Sequence, residues 1–120
     1  MAKEIKIKTR KSGNEGSVVV DPWEQEISIS GTKNLPTELH WTCKYQFEIS
    51  ALDPAHFEVT NVQAVVSGNE WVANTPSVKE GTPTDVTSGY TIKITKPATS
   101  DVDYPSERDI TVDPDYRVRP

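Results

Sequence analysis

Two histidines, one cysteine, three tryptophans and a crowd of aspartates carry whatever chemistry this chain can do. Nucleophilic catalysis needs a Ser or Cys beside a His, with a third group to orient the base. His40 and Ser50 fall on one face of an alternating run, but ten residues of extended chain hold them roughly 33 Å apart. Cys43 faces away from His40 in the same run and reads as a small core hydrophobe. Asp53 and His56 approach each other across a turn. There Asp53 is expected to cap the turn that Pro54 begins, leaving His56 in solvent. No nucleophile–base pair assembles, and no catalytic residue is assigned.

Metal and ligand chemistry rest on two other groups. Asp101, Asp103, Glu107, Asp109, Asp113 and Asp115 crowd the C-terminal part. Asp-x-Asp pairs such as Asp101 and Asp103 can supply oxygen ligands to Ca²⁺, but the full spacing of a Ca²⁺ loop, glycine included, is missing. A solvated acidic loop with turn caps is the preferred reading. One Cys and two distant His give no zinc signature, so no cofactor is expected. Trp23 follows Asp-Pro and Trp71 follows a turn, so both can sit near a rim and offer a stacking surface to a sugar. Trp41 is expected inside.

The elements that must position these residues announce themselves by period. Thirteen Val, eight Ile and 13 Thr stand against three Leu, and branching at Cβ favours extended backbone. Nine Pro and six Gly leave little room for long helices. In LHWTCKYQFEI, residues 39–49, Leu39, Trp41, Cys43, Tyr45, Phe47 and Ile49 alternate with polar residues without an error, which is the strand period. Fully extended, the run spans roughly 36 Å, long enough that a bend or bulge is expected within it. Burying its odd face is worth at most roughly 9–18 kcal/mol. Its even face, His40, Thr42, Lys44, Gln46, Glu48 and Ser50, is a candidate contact surface.

Further strands follow the same logic. Ile5, Ile7 and Thr9 share a face opposite Lys6, Lys8 and Arg10, and a turn at GNEG leads into SVVV. Trp23, Gln25, Ile27 and Ile29 align, as do Tyr90, Ile92 and Ile94, and Ile110, Val112, Tyr116 and Val118. Pro114 interrupts the last run, as suits an edge or a bulge. Residues 57–66 change phase near Thr60 or Asn61, which predicts a bulge, and SGNE predicts a hairpin turn into Trp71. GTKNLPTE, ALDPAH, NTPSVKEGTPTDVTS and PATSDVDYPS read as loops, the third with room for a short strand at Ser77–Lys79.

DPAHFEV, residues 53–59, resembles the Asp-x-Ala-x-Tyr-x-Cys corner of immunoglobulin-type domains through Asp53 and Ala55. Phe57 and Val59 stand where that pattern has Tyr and Cys. The resemblance implies an immunoglobulin-like architecture. With turns between short strands, the chain is expected to form one domain over residues 1–120. That domain is an all-β, antiparallel β-sandwich of about seven or eight strands, with a small open barrel as the alternative.

Charge bounds the partners. Net charge is −5, the reverse of a nucleic-acid binder's balance. No apolar run approaches membrane length, and the first residues form no apolar signal segment. A single cysteine suits a reducing compartment, so a cytoplasmic location is expected, with secretion as the alternative if a signal peptide is missing from the sequence. Basic residues 3–11 and acidic residues 101–115 suggest that the first and last strands pair through opposite charges, with charge reversal at Lys6 and Lys8 costing more in low salt. The expected function is a non-enzymatic module acting by protein–protein contact or self-assembly, with His40, Thr42, Lys44, Gln46, Trp23 and Trp71 as candidate binding residues. The alternative is a carbohydrate-binding module using Trp23 or Trp71. A small hydrolase-type enzyme is the second alternative.

Overall fold

The computed structural model describes residues 2–12, 15–29 and 35–120. These contain no helix and twelve strands. In chain order they are β1 (Ala2–Ser12), β2 (Glu15–Asp21), β3 (Glu24–Ser28), β4 (Glu38–Cys43), β5 (Phe47–Ser50) and β6 (Val62–Gln63). Then come β7 (Val65–Ser67), β8 (Glu70–Asn74), β9 (Thr87–Gly89), β10 (Thr91–Ile94), β11 (Ile110–Val112) and β12 (Asp115–Arg119). They form a five-stranded sheet β2-β1-β4-β8-β7, a four-stranded sheet β11-β10-β5-β6 and a three-stranded sheet β3-β12-β9. The fold is all-β and sandwich-like.

Twelve strands replace the expected seven or eight because three long runs are cut where the chain passes from one sheet to another, and because a short strand, β9, forms in a segment read as loop. Residues 39–49 begin as β4 in the five-stranded sheet, bend at 44–46 and continue as β5 in the four-stranded sheet. The bend keeps the alternation: Leu39, Trp41, Cys43, Tyr45, Phe47 and Ile49 are all buried. Thr95 N–H donates to the Gln46 carbonyl (2.8 Å), so the bend stays tied to the strand beside it. Residues 110–118 divide at Pro114, which has no N–H to donate, into β11 at one sheet's edge and β12 in the middle of another.

Residues 57–66 depart furthest from expectation. Residues 57–61 are irregular, and only Val62–Gln63 and Val65–Ser67 are strands. Ala64 is the crossing point, its N–H donating to the Phe47 carbonyl (3.1 Å) while its neighbours pair with β5 on one side and β8 on the other. Ser77–Lys79 forms no strand. Val78 N–H bonds Thr37 and Lys79 N–H bonds His56 (both 2.8 Å), and the short strand in that loop is β9 instead. Gly68, at φ +64°, opens the two-residue turn between β7 and β8, the place where a two-residue hairpin of the II′ kind needs glycine. The turn expected at GNEG and most of the GTKNLPTE loop lie outside the described residues.

Two pairings are parallel, β1 with β4 and β3 with β12, which corrects the purely antiparallel expectation. The same topology overturns the expected pairing of the first and last strands. β1 lies between β2 and β4, whereas β12 lies in a different sheet between β3 and β9. Lys6 has Asp21 as its cross-strand neighbour. The charges on β12 are met within their own sheet and the adjoining loop: Arg119 forks onto Glu26 (3.1 and 2.9 Å) and reaches Asp85 (3.1 Å).

The core draws Ile5, Ile7, Leu39, Trp41, Phe47, Ile49, Ile92, Ile94, Tyr116 and Val118 from all three sheets. A polar thread runs through it. Trp41 Nε1–H donates to Tyr90 Oη (3.0 Å), and Tyr90 Oη–H donates to Gln25 Oε1 (2.8 Å). Gln25 Nε2 then donates to the carbonyls of Trp23 (3.0 Å) and Pro22. Each buried polar group finds its partner in the next, as the cost of an unpaired one requires.

Candidate functional site

Two regions gather candidate residues. The first is the bend at residues 44–46, facing the loop that follows β10. Lys44, Gln46, Trp71, Lys96, Pro97 and Asp101 line a hollow of about 400 Å³ there, floored in part by Tyr45. Trp71 stands across the ladder from Cys43, so its indole packs half-buried against the core and the rest of it faces the hollow. Lys44 Nζ reaches Asp103 Oδ2 (3.2 Å) and Asp101 Oδ2 (3.9 Å) and lies 5.5 Å from the centroid of the Tyr45 ring. The hydrogen bond that Lys44 donates to Asp103 raises the lysine's pKa. Tyr45 stacks edge-on with Tyr104 at 5.1 Å, and its buried hydroxyl has no hydrogen-bond partner among the described residues. Burial, foremost, pushes that phenol's pKa up, with the Asp101 charge adding to it.

Asp101 and Asp103 do come together, but they meet Lys44 and their own backbone. Asp101 Oδ1 accepts the Asp103 N–H (2.9 Å), and the Asp101 carbonyl accepts the Tyr104 N–H (3.1 Å). Among the described residues, no group of three or more His, Cys, Asp or Glu side chains is arranged to hold a metal ion. A second hollow, of about 440 Å³, adjoins the first and shares Lys96, Pro97, Ala98 and Asp101 with it.

The other candidates are dispersed. His40 and Thr42 lie on the outer face of the five-stranded sheet. There Glu4, His40 and Asn74 form one cross-strand row, and Lys6, Thr42, Val72 and Val65 form the next. The His40 ring bonds Asn74 through Nδ1 and lies 3.6 Å from Glu4 through Nε2. Trp23 is 47% exposed and lines neither hollow. Of the six residues selected from the sequence, the structure gathers Lys44, Gln46 and Trp71 and separates the rest from them.

The second region is the β7 edge. Val65 and Val66 are 60% and 62% exposed, on opposite faces of a strand with no neighbour on its outer side among the described residues. The two-residue turn makes Ser67 and Glu70 the hydrogen-bonded pair, so the peptide groups of Val66 point away from β8. Sequence reasoning missed this edge because it read residues 57–66 as a single bulged strand. The signal was available: residues 59–69 hold no charge and no proline.

His56 corrects another expectation. It is 1% exposed rather than solvated, because its turn folds beneath Tyr116. Asp53 caps the turn as expected, accepting the Ala55 N–H at 2.8 Å. His56 Nδ1 and Tyr116 Oη are 2.6 Å apart, and Asp53 Oδ2 is 3.8 Å from the ring. Burial holds the imidazole's pKa below its usual value, against the pull of Asp53, and burial pushes the Tyr116 phenol up to about 12. The signs follow from proton linkage. The unfolded chain binds a proton at His56 more readily than the native one, so stability falls as pH drops below about 6.5. At the other extreme the unfolded chain gives up the Tyr116 proton first, so stability falls again as pH rises from about 10 through about 12. Chemical denaturation at pH 7.5, 5.5 and 4.5 should show the acid loss, and His56→Gln should flatten its part near pH 6. A wild-type profile unaltered by that substitution would remove His56 as its source.

No protein-family model, curated protein or solved structure matches the chain.

Proposed function

We propose that the chain is a non-catalytic module that acts by protein–protein contact or self-assembly, with the β7 edge as its contact strand. The observation that carries this reading is the pair of exposed valines on an edge without charge or proline. Sheet edges are ordinarily blunted by lysine, proline, bulges or a covering loop, because an open row of peptide groups templates pairing with another strand. A chain of net charge −5 repels its own copies over most of its surface, and an uncharged strip is where two copies meet at least cost. Antiparallel addition of β7 to the β7 of a second copy is isologous and closes as a two-fold dimer. The immunoglobulin-like reading of the architecture belongs to the same proposal, supported by the sandwich-like layers and by the Asp53-capped corner.

Mass measured by light scattering across a hundredfold concentration range tests the proposal. The wild type should move from monomer towards dimer, and Val65→Lys with Val66→Lys should hold the chain monomeric at every concentration without lowering its melting temperature. A wild-type mass that stays monomeric at millimolar concentration would remove self-association, and an unchanged dimer in the lysine variant would move the contact elsewhere.

A further inference from the structure

We infer that the hollow between the 44–46 bend and the loop after β10 is a saccharide-binding site, with Trp71 as its stacking face. This goes beyond the contact reading and does not depend on it. At about 400 Å³ the hollow is of the size that holds small ligands. What selects a sugar is the mixture of groups around it. A pyranose offers one apolar C–H face and a rim of hydroxyls, each both donor and acceptor. Trp71 supplies a flat, amphipathic ring that is anchored in the core on one side and faces the hollow on the other. The side chains of Gln46, Thr95 and Lys96 line the same hollow and make no hydrogen bond with the described residues, so an amide, a hydroxyl and an ammonium stand ready for a rim of hydroxyls.

Asp101 and Lys44 complete the set. Lys44 Nζ lies 3.9 Å from Asp101 Oδ2, so a donor and an acceptor stand side by side on the lining before any ligand arrives. Other ligand classes fit less well. A phosphate group would meet the Asp101 carboxylate, and an apolar ligand would bury the Gln46, Thr95 and Lys96 groups unpaired. The adjoining hollow shares Lys96, Pro97, Ala98 and Asp101 and adds Ser100, Ser106 and Glu107. Two hollows side by side over one loop, the one at Trp71 the more apolar and its neighbour the more polar, suit consecutive rings of an oligosaccharide better than a single monosaccharide.

Tryptophan fluorescence and calorimetric titration test the site. The probes are soluble oligosaccharides of glucose, mannose, galactose, N-acetylglucosamine and uronic acids, each beside its monosaccharide. At least one oligosaccharide should give a saturable signal, with affinity about tenfold or more above its monosaccharide. Trp71→Ala and Gln46→Ala should each weaken it about tenfold or more, and Trp23→Ala should leave it unchanged. Gln46 is exposed, so its variant keeps the test open if Trp71→Ala unfolds the chain. No saturable response from any probe at millimolar concentration would overturn the inference. So would a response that survives Gln46→Ala and Trp71→Ala, or one lost only with Trp23→Ala.

Discussion

Tyr90→Phe should destabilise the fold by about 2–6 kcal/mol, although it removes a single oxygen. That oxygen accepts from Trp41 Nε1–H at 3.0 Å and donates to Gln25 Oε1 at 2.8 Å, in an interior closed to water. Without it, one donor and one acceptor are left buried and unpaired, at about 1–3 kcal/mol each. Tyr45→Phe is the matched control. Its hydroxyl is also buried but has no hydrogen-bond partner among the described residues, so its removal relieves an unpaired group and should be neutral or stabilising. Urea denaturation of the two variants beside the wild type makes the comparison. Equal losses would mean that the Trp41–Tyr90–Gln25 thread adds nothing beyond packing.

The second large effect belongs to the run from Leu39 to Ile49. Phe47→Ala and Ile49→Ala should each cost about 2–5 kcal/mol, because both side chains are fully buried and their removal leaves cavities. Gln46→Ala and Glu48→Ala, one residue away, should stay within about 0.5 kcal/mol. The saw-tooth should persist through the bend, with Cys43 and Tyr45 above Thr42 and Lys44. Midpoints in urea at constant slope measure it. A smooth profile would mean that the bend disrupts the alternation which the burial pattern shows.

That alternation was the most legible feature of the chain. A period of two needs only local sequence, and the odd residues of 39–49 are buried through two strands and a bend. The same holds for Ile5 and Ile7, for Ile92 and Ile94, and for Tyr116 and Val118. What period cannot convey is which strand lies beside which. The parallel neighbours of β1 and β12 depend on how the sheets stack, and opposite charges on the terminal segments were no guide. Ala64 shows the limit at one residue: it is buried as its phase required, yet Val66 two positions on is exposed because the chain has changed sheets between them. Among site residues, Lys44, Gln46 and Trp71 were selectable by type. Their union with Thr95, Lys96 and Asp101 was not, since that depends on the loop after β10 returning to the bend. His56 was misplaced because a turn rich in Asp and Pro reads as surface, whereas Tyr116 covers it from sixty residues away.

The parallel ladder of β3 with β12 also orders events during synthesis. Residues 24–28 leave the ribosome early, but the strand that lies between them and β9 is made of residues 115–119. Until then β3 and β9 lack the ladder partner that joins them. The three-stranded sheet therefore cannot close before residues 115–119 are made, and a chain stalled before Asp115 leaves β3 and β9 unjoined.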